Sequence, residues 1–146
     1  MFLGNSETKI LSWRNFRNNL QNWPDDIEQV AASWAKAPLV NNYLTYEDTK
    51  DWPDAWTLIK DGVFCDISIA LGMFYTLYYS NYQQRDSMVI ECYRDVEKHQ
   101  ILNLVSLEQG KYMLNFHVGR SVNKKELGLQ FSPSYTITYL DLPIKI

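Results

Sequence analysis

Only two cysteines and two histidines occur in 146 residues, and this scarcity excludes more than any other feature of the composition. A structural metal site draws its ligands from closely spaced Cys and His. Cys65, Cys92, His99 and His117 show no such spacing, so no metal is expected. Two cysteines are also too few for a disulfide framework, and both are expected to remain thiols. The six glycines and five prolines are scattered, which leaves no linker, low-complexity tract or internal repeat. Residues 1–146 therefore read as a single domain. Neither glycine-rich phosphate-binding pattern is present, so no nucleotide and no other cofactor is expected. Lys and Arg number 14 against 17 Asp and Glu, without a basic run, so nucleic acid is not an expected partner. The longest apolar-rich stretch, Ile67 to Tyr79, is too short to cross a bilayer. The N-terminus lacks a basic segment followed by an apolar one, so the cytoplasm is the expected location and no membrane partner is expected.

What the chain does have is material to bury. Hydrophobic residues make up 46% and aromatic residues 14%, with five Trp and ten Tyr, far more than a disordered chain carries. Apolar spacing predicts a short helix over 9–21 and a second over 24–36, the latter with Pro24 in its first turn and Asp25, Asp26 and Glu28 at its positive end. Residues 39–52 show no period and read as an irregular connection. A helical turn over 54–59 precedes Gly62. A helix over 65–79 is apolar on nearly every side and is therefore expected at the centre of the core. Alternation then predicts strands over 87–93, 99–107, 111–117 and 135–140, with a bulged hairpin at Glu108-Gln109-Gly110. Helices first and an antiparallel sheet after them give an α+β class.

Cys65 stands at the start of the central helix, where the positive end of the helix dipole favours a thiolate. His99 and Asn115 follow it in the chain order of a base and the group that orients it. Cys92 alternates with Met88 and Ile90 and reads as core. His117 reads as a strand-end residue, and Asp66 as a first-turn helix residue. Asn103 shares a strand face with His99 and rivals Asn115 as its partner. A regular hairpin through Gln109-Gly110 sets Asn115 opposite residue 102 or 103, roughly 10 Å of strand from His99. A bulge or another register is needed to close that gap.

The segment Trp52-Pro53, Thr57-Leu58 and Gly62-Val-Phe-Cys65-Asp66 resembles the opening of the central helix in the transglutaminase-like group of papain-type cysteine enzymes. One extra residue stands between the glycine and the cysteine. His99 and Asn115, across a glycine-bearing turn, are similar to that family's His-turn-Asp hairpin, with Asn in place of Asp. The resemblance covers about residues 23 to 117. It implies a buried central helix packed on an antiparallel sheet, and a hydrolase or acyltransferase acting on an amide or ester of a protein or peptide. In that scheme Cys65 attacks, His99 moves the proton and Asn115 orients it. The Cys65 backbone N–H serves as oxyanion donor, with Tyr43, Trp52 or Trp56 as a second donor or as the substrate wall. The alternative is an inactive scaffold of the same fold that binds or builds. The chain also resembles small proteins of tailed bacteriophages, which implies a place in a virion or in a host cytoplasm. Oligomeric state is not readable from these residues.

Overall fold

The structure, a computed structural model, describes residues 1–40, 44, 48–128 and 130–144. The first helix, α1 (Ser6–Asn18), opens at Asn5, whose side-chain oxygen accepts the Thr8 N–H at 2.9 Å. That cap starts the helix before the expected position 9. Next, α2 spans Asp26–Trp34 and buries Ile27, Val30, Ala31 and Trp34. The third helix, α3 (Ala55–Asp61), is capped by Asp54 and ends at Gly62, whose φ of 66° is the left-handed conformation that stops a helix. The central helix, α4 (Asp66–Tyr78), begins four residues later with Cys65 at its N-cap.

The second half is an antiparallel sheet of β1 (Val89–Asp95), β2 (Gln100–Leu107), β3 (Tyr112–His117), β4 (Arg120–Val122) and β5 (Phe131–Thr138), in the order β4-β3-β2-β1-β5. The architecture is the α+β class expected, with helices packed on one sheet. At three residues β4 is too short to show alternation in the sequence. The last strand starts four residues earlier than expected and ends two residues sooner, where Tyr139–Asp141 turn out of it as a 3-10 turn. Pro133 sits on this edge strand beside a register shift between Cys92 and Tyr93, a place where a missing N–H is tolerated.

Met88, Ile90, Val105, Leu107 and Leu114 face α4 across one side of the sheet. Tyr93, Leu104, Met113 and Val122 form a smaller cluster on the other side. The opposite flank of α4 is covered by α1 and α2, and one hydroxyl joins all three helices. Thr76 Oγ1 accepts the indole N–H of Trp13 from α1 and of Trp34 from α2, each at 3.0 Å, and donates to the Gly72 carbonyl at 2.7 Å. Thr76, Trp13 and Trp34 are at most 1% exposed. One turn earlier, the absence of a side chain at Gly72 admits the Trp34 ring: a Cβ there would lie 2.1 Å from Trp34 Cη2.

An indole N–H buried without an acceptor costs about 1–3 kcal/mol. Replacing Thr76 by Val keeps the volume and strands two of them. Urea denaturation is expected to show Thr76→Val losing about 2–4 kcal/mol, against about 1 kcal/mol for Thr76→Ser, which loses a methyl and keeps the acceptor. Equal losses for the two variants would mean that the hydroxyl is not the link.

Candidate functional site at the head of the central helix

Cys65 sits at the N-cap of α4 with an extended backbone, φ −96° and ψ 179°, and is 0% exposed. Its backbone N–H donates to Ser68 Oγ at 2.7 Å, and the Ser68 hydroxyl lies 3.5 Å from the thiol sulfur. Ser68 stands three residues after the N-cap, where a capping side chain reaches back to the orphan N–H of the first turn. The N–H expected to stabilise an oxyanion is thus already bonded within the helix head.

Asp66, the first residue of α4, projects toward the sheet. Asn103 Nδ2 of β2 donates to Asp66 Oδ2 at 2.9 Å, and Asn115 Nδ2 of β3 donates to Oδ1 at 3.2 Å. Asn115 also donates to the Asn103 carbonyl at 2.9 Å. The remaining polar atom of Asn103, Oδ1, accepts the Cys92 thiol at 3.1 Å. Two amides, a carboxylate and a thiol therefore close the head of α4 against the sheet. Burial, followed by the nearby Asp66 charge, pushes the Cys92 thiol up to about 11, so it stays protonated at neutral pH.

The reach of Asn115 depends on a break in the strand. The hairpin pairs Leu107 with Tyr112, Ser106 with Met113 and Val105 with Leu114. Tyr112 and Leu114 pack on the α4 side and Met113 on the other, so regular alternation sends residue 115 away from α4. Asn115 instead takes φ 73°, and Phe116 then packs with the far-side cluster. A left-handed residue of this kind re-aims a side chain, and Asn adopts it more readily than most residues. The bulge that the hairpin needed is present, but it turns Asn115 onto Asp66.

His99 is not brought to this cluster. It is exposed in the turn between β1 and β2, with φ 56°. Asp95 and Gln100 close that hairpin, and Asp95 Oδ1 holds the turn by accepting the Glu97 and Lys98 N–H groups at 3.0 and 3.1 Å. Four residues of strand, about 13 Å, separate His99 from Asn103, which is the residue of β2 that meets the head of α4. His117 is exposed at the end of β3, its ring 4.8 Å from that of Phe116.

The expected wall residues are also dispersed. Trp56 packs on Tyr79 at 4.9 Å and on Trp13 at 5.9 Å, at the far end of α4 and about 20 Å along it from Cys65. Trp52 is buried, and the adjoining Pro53 carbonyl accepts the Tyr75 hydroxyl at 2.8 Å, which ties this segment to the later turns of α4. Tyr43 lies outside the described residues. Two parts of the cluster escaped the sequence reading. The Cys-x-x-Ser spacing at the helix start is a capping signal, whereas nothing local marks Asn103 as a partner of Asp66, 37 positions away.

No protein-family model and no curated protein sequence matches the chain. Solved structures do. LapG from Legionella pneumophila superposes with a TM-score of 0.71 at 16% identity, over 94% of this chain and 78% of LapG. Its calcium-bound form gives 0.72 at 16%, over 94% and 78%. The EGTA-treated form gives 0.71 at 16%, over 93% and 75%. Among the described residues no three His, Cys, Asp or Glu side chains come together where they could hold a metal ion. Asp66, the acid beside Cys65, has both oxygens taken by amides. Among the described residues, four helices pack on a five-stranded antiparallel sheet that superposes on LapG over nearly the whole chain, so this protein has a LapG-like fold.

Proposed function

We propose that the chain uses the transglutaminase-like cysteine protease fold as a binding scaffold for a protein or peptide, and that the head of α4 serves stability in place of thiol chemistry. The observation that carries this reading is the identity of the strand residues that meet Asp66, the residue next to Cys65, at the head of α4. A general base must stand within hydrogen-bond reach of the thiol, and Asn103 and Asn115 are carboxamides, which take no proton at neutral pH. Their amides and the Asp66 carboxylate satisfy one another, as a structural network does. The Cys65 N–H is directed to Ser68, which supports the same conclusion.

A second reading has one specific observation in its favour. Cys65 is at the N-cap of a 13-residue helix, where the dipole favours a thiolate, in a fold similar to that of LapG. In this reading Cys65, His99 and Asn115 act as a triad on an amide or ester, and the β1–β2 turn must carry His99 inward before chemistry.

Alkylation separates the two. At pH 7 both cysteines of the native protein are expected to react with iodoacetamide at least about tenfold more slowly than in urea, as buried thiols do. His99→Ala should leave both rates unchanged, and Cys92 labelling should accelerate only as the pH approaches its raised value of about 11. Fast labelling of Cys65 below pH 7 that His99→Ala abolishes would reinstate the hydrolase.

Stability provides an independent check. Asp66→Ala removes two charge-assisted bonds and is expected to cost about 2–3 kcal/mol in urea denaturation, whereas His99→Ala, at an exposed turn, should stay within about 0.5 kcal/mol of the parent. A neutral Asp66→Ala would remove the clamp from the scaffold reading.

A further inference from the structure

At the opposite pole of α4 an open cavity of about 430 Å³ lies between the segment before α2, the segment after α4 and the β2–β3 turn. This volume lies within the range of ordinary small-ligand sites. Its walls are held in place by hydrogen bonds that do not depend on a ligand. The Trp23 indole N–H donates to Asn81 Oδ1 at 2.7 Å, and its ring meets that of Tyr82 at 5.0 Å. The Tyr82 hydroxyl donates to Glu108 Oε2 at 2.7 Å. Burial and that carboxylate push the phenol well above its usual range, so it remains a donor. Glu108 and Gln109 adopt φ of 52° and 60°, a conformation uncommon for side-chain-bearing residues, in the turn that presents Glu108 to the cavity.

The lining chemistry selects among ligands. Trp23 and Tyr112 are half-buried and contribute aromatic surface, while Gln21, Gln83 and Gln84 contribute exposed side-chain amides. The two charges are of opposite sign, Glu108 and Lys111 of the same turn, with the Lys111 ammonium 5.6 Å over the Tyr112 ring. A cationic ligand meets a resident ammonium, and an anionic one meets a carboxylate. A neutral sugar meets neither problem. Each of its hydroxyls donates and accepts, matching amides, carboxylate and ammonium together, and its C–H face suits an aromatic ring of amphipathic character.

We propose that this cavity is a saccharide-binding site, with Trp23 and Tyr112 contacting the ring faces and Glu108, Lys111 and the glutamines its hydroxyls. It requires nothing of Cys65, so the alkylation result, whichever way it falls, leaves it standing.

Isothermal titration calorimetry of the full chain with cellobiose, maltose and N,N′-diacetylchitobiose tests it. At least one disaccharide is expected to bind with a Kd of about 1 mM or tighter. Glu108→Gln and Trp23→Ala should each weaken it by at least about tenfold. Tyr112→Ala replaces Trp23→Ala if the latter fails to fold, and the melting temperature of each variant reports folding. No heat from any of the three sugars at about 20 mM would overturn the proposal, as would affinity indifferent to Glu108→Gln. Binding of glycylglycine without binding of the sugars would also overturn it and assign the Glu108–Lys111 pair to a zwitterion.

Discussion

The helical layer depends on a single hydroxyl. Thr76 Oγ1 accepts from Trp13 and Trp34 and donates to Gly72, so α1, α2 and α4 share one buried polar point. Buried indole N–H groups need acceptors, and in this core the hydroxyl of α4 supplies one for both rings. The geometry leaves little freedom. Gly72 must lack a side chain for Trp34 to approach, and the approach of Trp34 sets α2 against α4. Arg17 adds a second tie in the last turn of α1, donating to the Tyr79 carbonyl at 3.2 Å while its guanidinium lies 4.0 Å over the Trp13 ring. A cation at the carbonyl end of α4 is favoured by the helix dipole.

With α4 fixed, its head falls on the sheet at Asn103 and Asn115. Fixing the helix also fixes where chemistry could occur. In this chain that place holds two carboxamides on a carboxylate, and a serine on the Cys65 N–H. The proposed scaffold role follows from residue type more than from distance. Moving a histidine to the same spot would create a base, whereas no movement of an amide does. The thiol of Cys92 belongs to the same network, and its raised pKa comes from burial before charge. Such a thiol acts as a small polar core group.

The sequence disclosed the fold in proportion to how periodic each part was. The apolar run over 65–79 and the alternation of 99–107 carried α4 and β2 almost to their observed ends, because helix and strand differ in period and both segments are long. Arg120–Val122 is too short to carry any period. Asn5 caps α1 from outside the apolar pattern that marks the helix, so periodicity carries no trace of it. The site was less legible for a physical reason. Cys65, His99 and Asn115 are in catalytic order along the chain, but order does not fix register. Four residues of strand carry His99 away from the helix, and a single left-handed residue decides which way Asn115 faces. Neither is encoded in spacing, although the gap in the simple hairpin was visible in it.

A helix buried on all sides can meet a ligand only at its ends. Along its length, α4 is enclosed by the sheet and by the aromatic cluster of α1, α2 and α3. The head of α4 is closed by the amide clamp. The tail is built differently. Tyr82 and Trp23 are locked by hydrogen bonds to Glu108 and Asn81, and these leave one carboxylate oxygen of Glu108 unengaged by those bonds. Polar groups at the head are spent on one another, and those at the tail are held in position around a cavity. Preorganised walls lower the ordering cost of binding, which places the proposed recognition at the tail of the helix and the stabilising network at its head.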